Sequence, residues 1–139
     1  MITVNPYLTF SGDCLDAFNH YKKVFGGEFE ALQKFKDEPG SSHPASDANR
    51  VLHVSLPLAK GVMLMGSDRA TSMGPGNPGD NVSLSINTTS KKEADDVFTG
   101  LADGGKVTMA MANTFWGSYF GMVTDKFGVR WLVSFAESR

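Results

Sequence analysis

Apolar and polar side chains alternate from Thr3 to Phe10, a period of two that predicts a β-strand, and Gly12-Asp13 then supplies a turn and a helix cap. The period lengthens at once. Cys14, Ala17, Phe18, Tyr21, Val24 and Phe25 recur at three- and four-residue steps, so a helix with one apolar face is expected, stopped by Gly26-Gly27 and resting on a sheet. Glu28 to Lys36 reads as a second strand. Asp37 to Asn49 collects Pro39, Gly40, Ser41, Ser42, Pro44, Ser46 and Asp47, a loop composition that raises the question of a lid. Val51 to Leu58 and Val62 to Ser67 alternate around Lys60-Gly61 and predict a hairpin.

The same outline then returns. Val82 to Asn87 is a strand pattern, and the capping box Ser90-Lys91-Lys92-Glu93 opens a helix carrying Ala94, Val97, Phe98 and Leu101, which Gly104-Gly105 ends. Lys106 to Ala112, Ser118 to Thr124 and Val129 to Phe135 supply three further strands, the last two turning through Lys126-Phe127-Gly128. The copies are offset by 78 residues between Gly26 and Gly104, and by 67 between Gly61 and Gly128. An extra segment of about 11 residues in the first copy accounts for the difference, and it coincides with the polar loop after Lys36. The expected fold is therefore α+β: two βαβββ modules, residues 1–70 and 81–139 joined by a linker at 71–80, forming a curved, cavity-lining mixed sheet with helices on its outer face.

Composition narrows the partners. A chain of 139 residues with 41% apolar side chains suits one domain that buries about 70% of its unfolded surface without staples. Cys14 is the only cysteine and opens an apolar helix face, which reads as an inert buried thiol in a reducing, cytoplasmic compartment. No basic leader or membrane-length apolar run is seen, and the net charge of -2 is interspersed, without the Lys/Arg cluster that nucleic acid demands. Partners are expected to be a small molecule and a second copy, with neither nucleic acid nor membrane.

At this point residues carry a family likeness. Tyr7-Leu8-Thr9-Phe10-Ser11-Gly12-Asp13-Cys14 with Ala17-Phe18, Tyr21 and Gly26-Gly27-Glu28, then Leu64-Met65-Gly66-Ser67-Asp68, Phe115-Trp116-Gly117, Phe120-Gly121 and Asp125-Lys126-Phe127-Gly128-Val129-Arg130-Trp131, resemble the vicinal oxygen chelate superfamily of glyoxalases, extradiol dioxygenases and bleomycin resistance proteins, in its PhnB-like branch. The resemblance implies a homodimer whose copies pair or swap modules. It also implies a divalent ion held by His or Glu from the first and third strands of one module and the equivalent strands of the other. Matched position by position, those places fall at Pro6 or Asn5, His53, Asn81, and Leu132 with Trp131 as its neighbour. Only His53 is a strong transition-metal ligand, whereas an open catalytic site takes three protein donors. No metal and no cofactor are therefore expected. Asp68 and Asp125, at turns, are the side chains that could be recruited if a site moved.

Strand alternation sets Leu52, Val54 and Leu56 against Val51, His53 and Ser55, and Val82, Leu84 and Ile86 against Asn81, Ser83 and Ser85. With helices on the apolar faces, His53, Ser55, Asn81 and Ser83 become candidate ligand contacts, unless they simply bond one another or water. Phe115, Trp116, Tyr119 and Phe120 form an aromatic cluster that fits core, a dimer seam, or a cavity wall in which Trp116 and Phe120 stack a planar ligand. Met63 with Met65, and Met109 with Met111, add adaptable apolar surface at alternating positions.

Gly74-Pro75-Gly76-Asn77-Pro78-Gly79 matches a dinucleotide fingerprint in letters only, because a strand follows it and two prolines remove amide donors. That absence also weighs against a methyltransferase label attached to relatives. No nucleophile elbow occurs, and Cys14 and His20 lie roughly 240° apart around their helix. The leading expectation is a metal-independent small-molecule binding protein. The alternatives are a lyase, isomerase or dioxygenase-like enzyme using a divalent metal or His53 as acid/base, and a protein that sequesters an antibiotic.

Overall fold

The computed structural model describes residues 1–40, 43–59 and 61–136, so Ser41 and Ser42 of the polar loop and Lys60 of the first hairpin turn lie outside the described residues. The chain divides into two compact units, Met1–Asn77 and Pro78–Arg139. The first contains β1 (Tyr7–Phe10), α1 (Cys14–Phe25), β2 (Ala31–Lys34), β3 (Val51–Ala59) and β4 (Val62–Asp68). The second contains β5 (Leu84–Asn87), α2 (Lys91–Ala102), β6 (Lys106–Asn113), β7 (Ser118–Thr124) and β8 (Arg130–Ala136). Their sheets run β1-β4-β3-β2 and β5-β8-β7-β6, each with its first strand parallel to its neighbour and the remaining pairs antiparallel. The fold is thus α+β, a βαβββ arrangement made twice.

In each unit one sheet face is closed by the helix. Cys14, Ala17, Phe18 and Tyr21 of α1 are buried over Phe10, Val54, Leu56 and Leu64. The approach is tight enough to specify glycine: a Cβ at Gly66 would stand 2.6 Å from the Phe18 ring and 2.8 Å from the Leu8 carbonyl oxygen. In the second unit Ala94, Val97, Phe98 and Leu101 face Val123, Trp131 and Val133, and Gly121 admits the Phe98 ring. The two close approaches use different strands, β4 in one unit and β7 in the other.

The helix starts also differ. Asp13 makes no side-chain cap; the carboxylate of Asp68, at the end of β4, accepts instead from the amides of Gly12 at 2.7 Å and Cys14 at 3.0 Å, and its other oxygen accepts from Val51 at 2.8 Å. In α2 the expected Ser90 cap is present, accepting from Glu93, while the Glu93 carboxylate reaches back to Thr89 rather than to Ser90.

Several strands are shorter than their patterns. Residues 1–4 are exposed, and pairing with β4 begins at Tyr7, although Pro6 still accepts from Met65 and the Asn5 side chain accepts from Met63. The second strand shrinks to β2, flanked by a short 3₁₀ turn at Phe35–Asp37. Asn81, Val82 and Ser83 precede β5, and Val82 is 70% exposed instead of lying on an apolar face. In the polar loop, Asp47 is fully buried, accepting from the Thr71 amide and hydroxyl beside Arg50, so the described part of the loop is fastened at its end.

Candidate functional site

Strand pairing ranks the side chains of the helix-free faces into rows. In the first unit Tyr7, Met65, Ser55 and Ala31 stand in one row, and next to it Thr9 pairs with Ser67 and His53 with Gln33. Ser55 is buried within this face, and His53 is half-buried. A side chain absent from the sequence-based set completes the local geometry: the Tyr7 hydroxyl lies 3.4 Å from His53 Nδ1, and the two rings stack with centroids 5.9 Å apart and planes 28° apart. The Tyr7–His53 contact crosses β4, so its signal lay in strand order, which the alternation of a single strand cannot reveal.

Val51 departs from its expected side. It is fully buried, because the register between β2 and β3 shifts there and Leu52 becomes the extra residue.

In the second unit the helix-free face holds Ser85, Leu132, Met122 and Met109 in one row and Asn87, Ser134, Phe120 and Ala112 in the next. Ser134 donates to Asn87 at 3.0 Å. Trp116 lies in the turn between β6 and β7, 59% exposed, with its ring edge-on to Phe115 and to Phe120 at centroid distances of 5.0 and 6.1 Å. Trp116 and Phe120 are thus brought together. Tyr119 leaves the cluster for the helix, donating to Asp95 at 2.6 Å under the ammonium of Lys91. Asn81 and Ser83 are exposed and outside the paired strand, so the structure does not assemble them with Phe120 as strand neighbours. Irregular pairing along β6 splits the two methionines: Met109 pairs with Met122, while the Met111 sulfur approaches Gly121 beside Phe98.

The row Leu8–Gly66–Val54 matches Ile86–Val133–Gly121 under the two sequence offsets, which makes Phe120 the counterpart of His53, Met122 that of Ser55, and Leu132 that of Met65. Leu132 is therefore not equivalent to His53, and the four positions carried over from the family are not two symmetric pairs. Nor do the donors suit a divalent ion. The Asn5 oxygen is engaged by the Met63 amide, His53 meets Tyr7, Trp131 is 1% exposed on the helix side, and Leu132 has no donor. The turn acids are engaged as well: Asp68 holds three amides, and Asp125 accepts from Phe127, Val129 and the Trp131 indole. Among the described residues no three His, Cys, Asp or Glu side chains converge.

Both helix starts are closed from within the chain, by Asp68 and by Ser90 with Glu93, leaving neither as a phosphate seat. Residues 74–83 hold no helix, so the glycine-rich segment has no helix start behind it. Cys14 is fully buried, and burial, followed by the charges of Asp68 and Asp13, pushes its thiol well above the ordinary range, which removes it as a nucleophile. A cleft of about 320 Å³ in the polar loop is lined by Phe35, Lys36, Glu38 and His43 and includes none of the expected site residues.

A family model described as 3-demethylubiquinone-9 3-methyltransferase matches residues 2–134. The chain belongs to this family. It is 30% identical to protein YjdN of Escherichia coli (strain K12) over 145 residues, 98% of this chain and 97% of YjdN. The crystal structure of protein PA1353 from Pseudomonas aeruginosa is similar with 38% identity and a TM-score of 0.86, covering 97% of this chain and 98% of that one. A putative 3-demethylubiquinone-9 3-methyltransferase, PhnB protein, from Bacillus cereus shows 24% identity and a TM-score of 0.77, covering 97% and 100%. A glyoxylase/bleomycin resistance protein/dioxygenase domain from Frankia shares the fold at 13% identity and a TM-score of 0.68, covering 99% and 98%. The chain shares its fold with the PhnB protein and with the glyoxylase/bleomycin resistance protein/dioxygenase domain, and no helix among its described residues is long and apolar enough to cross a membrane.

Proposed function

We propose that this PhnB-like protein binds a small organic molecule on the helix-free faces of its sheets without a metal ion. The observation that carries this reading is the Tyr7–His53 pair beside buried Ser55: an exposed tyrosine stacked on a half-buried histidine, on the sheet face opposite α1. Met65 adds apolar surface to the same face of the first unit; the helix-free face of the second unit carries its own apolar set, Met122, Leu132 and Phe120, with Trp116 as a stacking edge to Phe120. Thermal unfolding against a panel of metabolites, planar antibiotics and divalent metals tests it. A melting shift with an organic compound that His53→Ala abolishes supports the reading; a shift with a metal alone refutes it.

The same pair favours a second reading, acid/base catalysis by His53 with Tyr7 fixing the imidazole, in the manner of a lyase or isomerase. Sequestration of a planar drug is the version of binding that Trp116 and Phe120 favour, and it is separated by the absence of turnover. The methyl transfer named in the family description gains no support from the closed helix starts. A homodimer in a reducing cytoplasm belongs to the same proposal. β6 is an eight-residue edge strand, exposed at nearly every position, on which Val107 and Met109 are 47% and 49% exposed, and such an edge calls for a cover.

A further inference from the structure

Beyond the two rows described for the second unit lies a third, set by the pairing of Lys106 with Thr124 and of Thr124 with Arg130. Its face is fixed by its neighbours. Val123 and Trp131 are 1% exposed against the helix, so Thr124 and Arg130, one residue away on each strand, stand on the helix-free side, where both are half-buried. Among the described residues neither Arg130 nor Lys106 forms an ion pair. The acid nearest Arg130 in sequence among the described residues, Asp125, is 3% exposed and holds Trp131 and two amides, and the acid nearest Lys106, Asp103, is exposed in the turn that follows α2.

Two cations on one row stand about 10 Å apart at their backbones, two strand spacings, and both have side chains long enough to meet over the Thr124 hydroxyl between them. The first unit offers a control in the same chain: the counterparts of Arg130 and Thr124 are Met63 and Pro57, which pair with each other and carry no charge. The cationic row therefore belongs to one copy of the repeat. Next to it stands the apolar row of Leu132, Met122 and Met109, and then Phe120 about 13 Å from Thr124 along β7.

We infer that this face selects an organic anion, with its carboxylate or phosphate on Arg130, Thr124 and Lys106 and a flat apolar body of up to about 13 Å lying over Met122 and Leu132 toward Phe120. The inference rests on the reading that the helix-free faces bind small molecules and adds the charge class of the ligand.

The full-length chain labelled with ¹³C at the methionine methyls is titrated with 2-naphthoate, its uncharged amide and inorganic phosphate, the Met109 and Met122 signals being assigned by single Met→Leu replacements. Saturable shifts of both methyls with 2-naphthoate, at least about tenfold weaker with the amide, are the expected result. Phosphate alone shows whether the cationic row accepts that head group without the apolar body. Arg130→Met, which copies the counterpart Met63, erases the preference for acid over amide while the amide affinity stays unchanged. Lys106→Gln, at an exposed position, reduces that preference even if Arg130→Met fails to fold. Equal binding of acid and amide overturns the anion selectivity alone. Silence of both methyls to all three compounds overturns the binding face as well.

Discussion

The indole nitrogen of Trp131 donates to the carboxylate of Asp125 at 2.9 Å, with the two residues 1% and 3% exposed. The other carboxylate oxygen accepts from the Phe127 and Val129 amides, so one acid shapes the β7–β8 turn and anchors the largest buried side chain. Asp125→Ala leaves a buried indole donor without its acceptor and is expected to destabilise by about 3 kcal/mol in urea unfolding. Trp131→Phe in the same background removes the orphaned donor, so the double variant loses less than the two single losses combined. Strict additivity contradicts the pairing.

Gly66→Ala tests the seat of α1. The added methyl meets the Phe18 ring and the Leu8 carbonyl, and overpacking of this kind costs about 1–3 kcal/mol. Shortening Phe18 to Leu frees the ring side only, so Gly66→Ala in a Phe18→Leu background costs less than in the parent. A neutral Gly66→Ala refutes the close packing.

Cys14 sets a pH dependence at the alkaline end. Its ordinary pKa is 9.0, and in the folded chain burial raises it, so above pH 9 the unfolded thiol releases a proton that the folded one keeps. The unfolded state then binds fewer protons, and stability falls as pH rises, by at most about 1.4 kcal/mol per unit from this group. Cys14→Ala is expected to flatten that decline in chemical denaturation between pH 8 and 11. The native thiol is also expected to resist a disulfide reagent until the chain unfolds.

His53→Ala is expected to abolish ligand-induced thermal stabilisation while lowering the melting point of the free protein little, since His53 is half-buried and no helix core depends on it. Tyr7→Phe keeps the ring stack and removes the hydroxyl, so it separates stacking from hydrogen bonding. Binding unchanged in both variants removes the Tyr7–His53 pair from the site.

Light scattering after gel filtration is expected to give about 30 kDa, twice the 15.0 kDa chain. Met109→Lys places a charge on the exposed β6 edge and shifts the species toward the monomer. A parent protein found only as monomer refutes the homodimer.

Element order was legible because each helix repeats its apolar face at helical spacing, and glycine pairs punctuate both: α1 runs Cys14–Phe25, the span its periodicity predicts. Strand ends were less so. Val82 has strand composition, yet it has no partner strand beside it, and pairing is a property of the sheet. The site was half legible. Alternation puts His53 and Ser55 on the helix-free face, but the pairing of Tyr7 with His53 and the shared row of Arg130 and Lys106 follow from strand order, and the register shifts at Leu52 and along β6 move Val51 and Met111 off their expected sides. Asp13 reads as a cap by local rule, and Asp68 took the role from a place 54 residues beyond Cys14.

That distance has a consequence for a chain made from its amino end. Helix α2 carries its own starting signal in Ser90 and Glu93, and can be nucleated as soon as its first turns leave the ribosome. Helix α1 has to wait with its opening amides hydrated until Asp68 has been synthesised and β4 has docked. Nascent chains halted before Asp68 should remain open to proteases at residues 12–25, and those halted a little later should become resistant in one step.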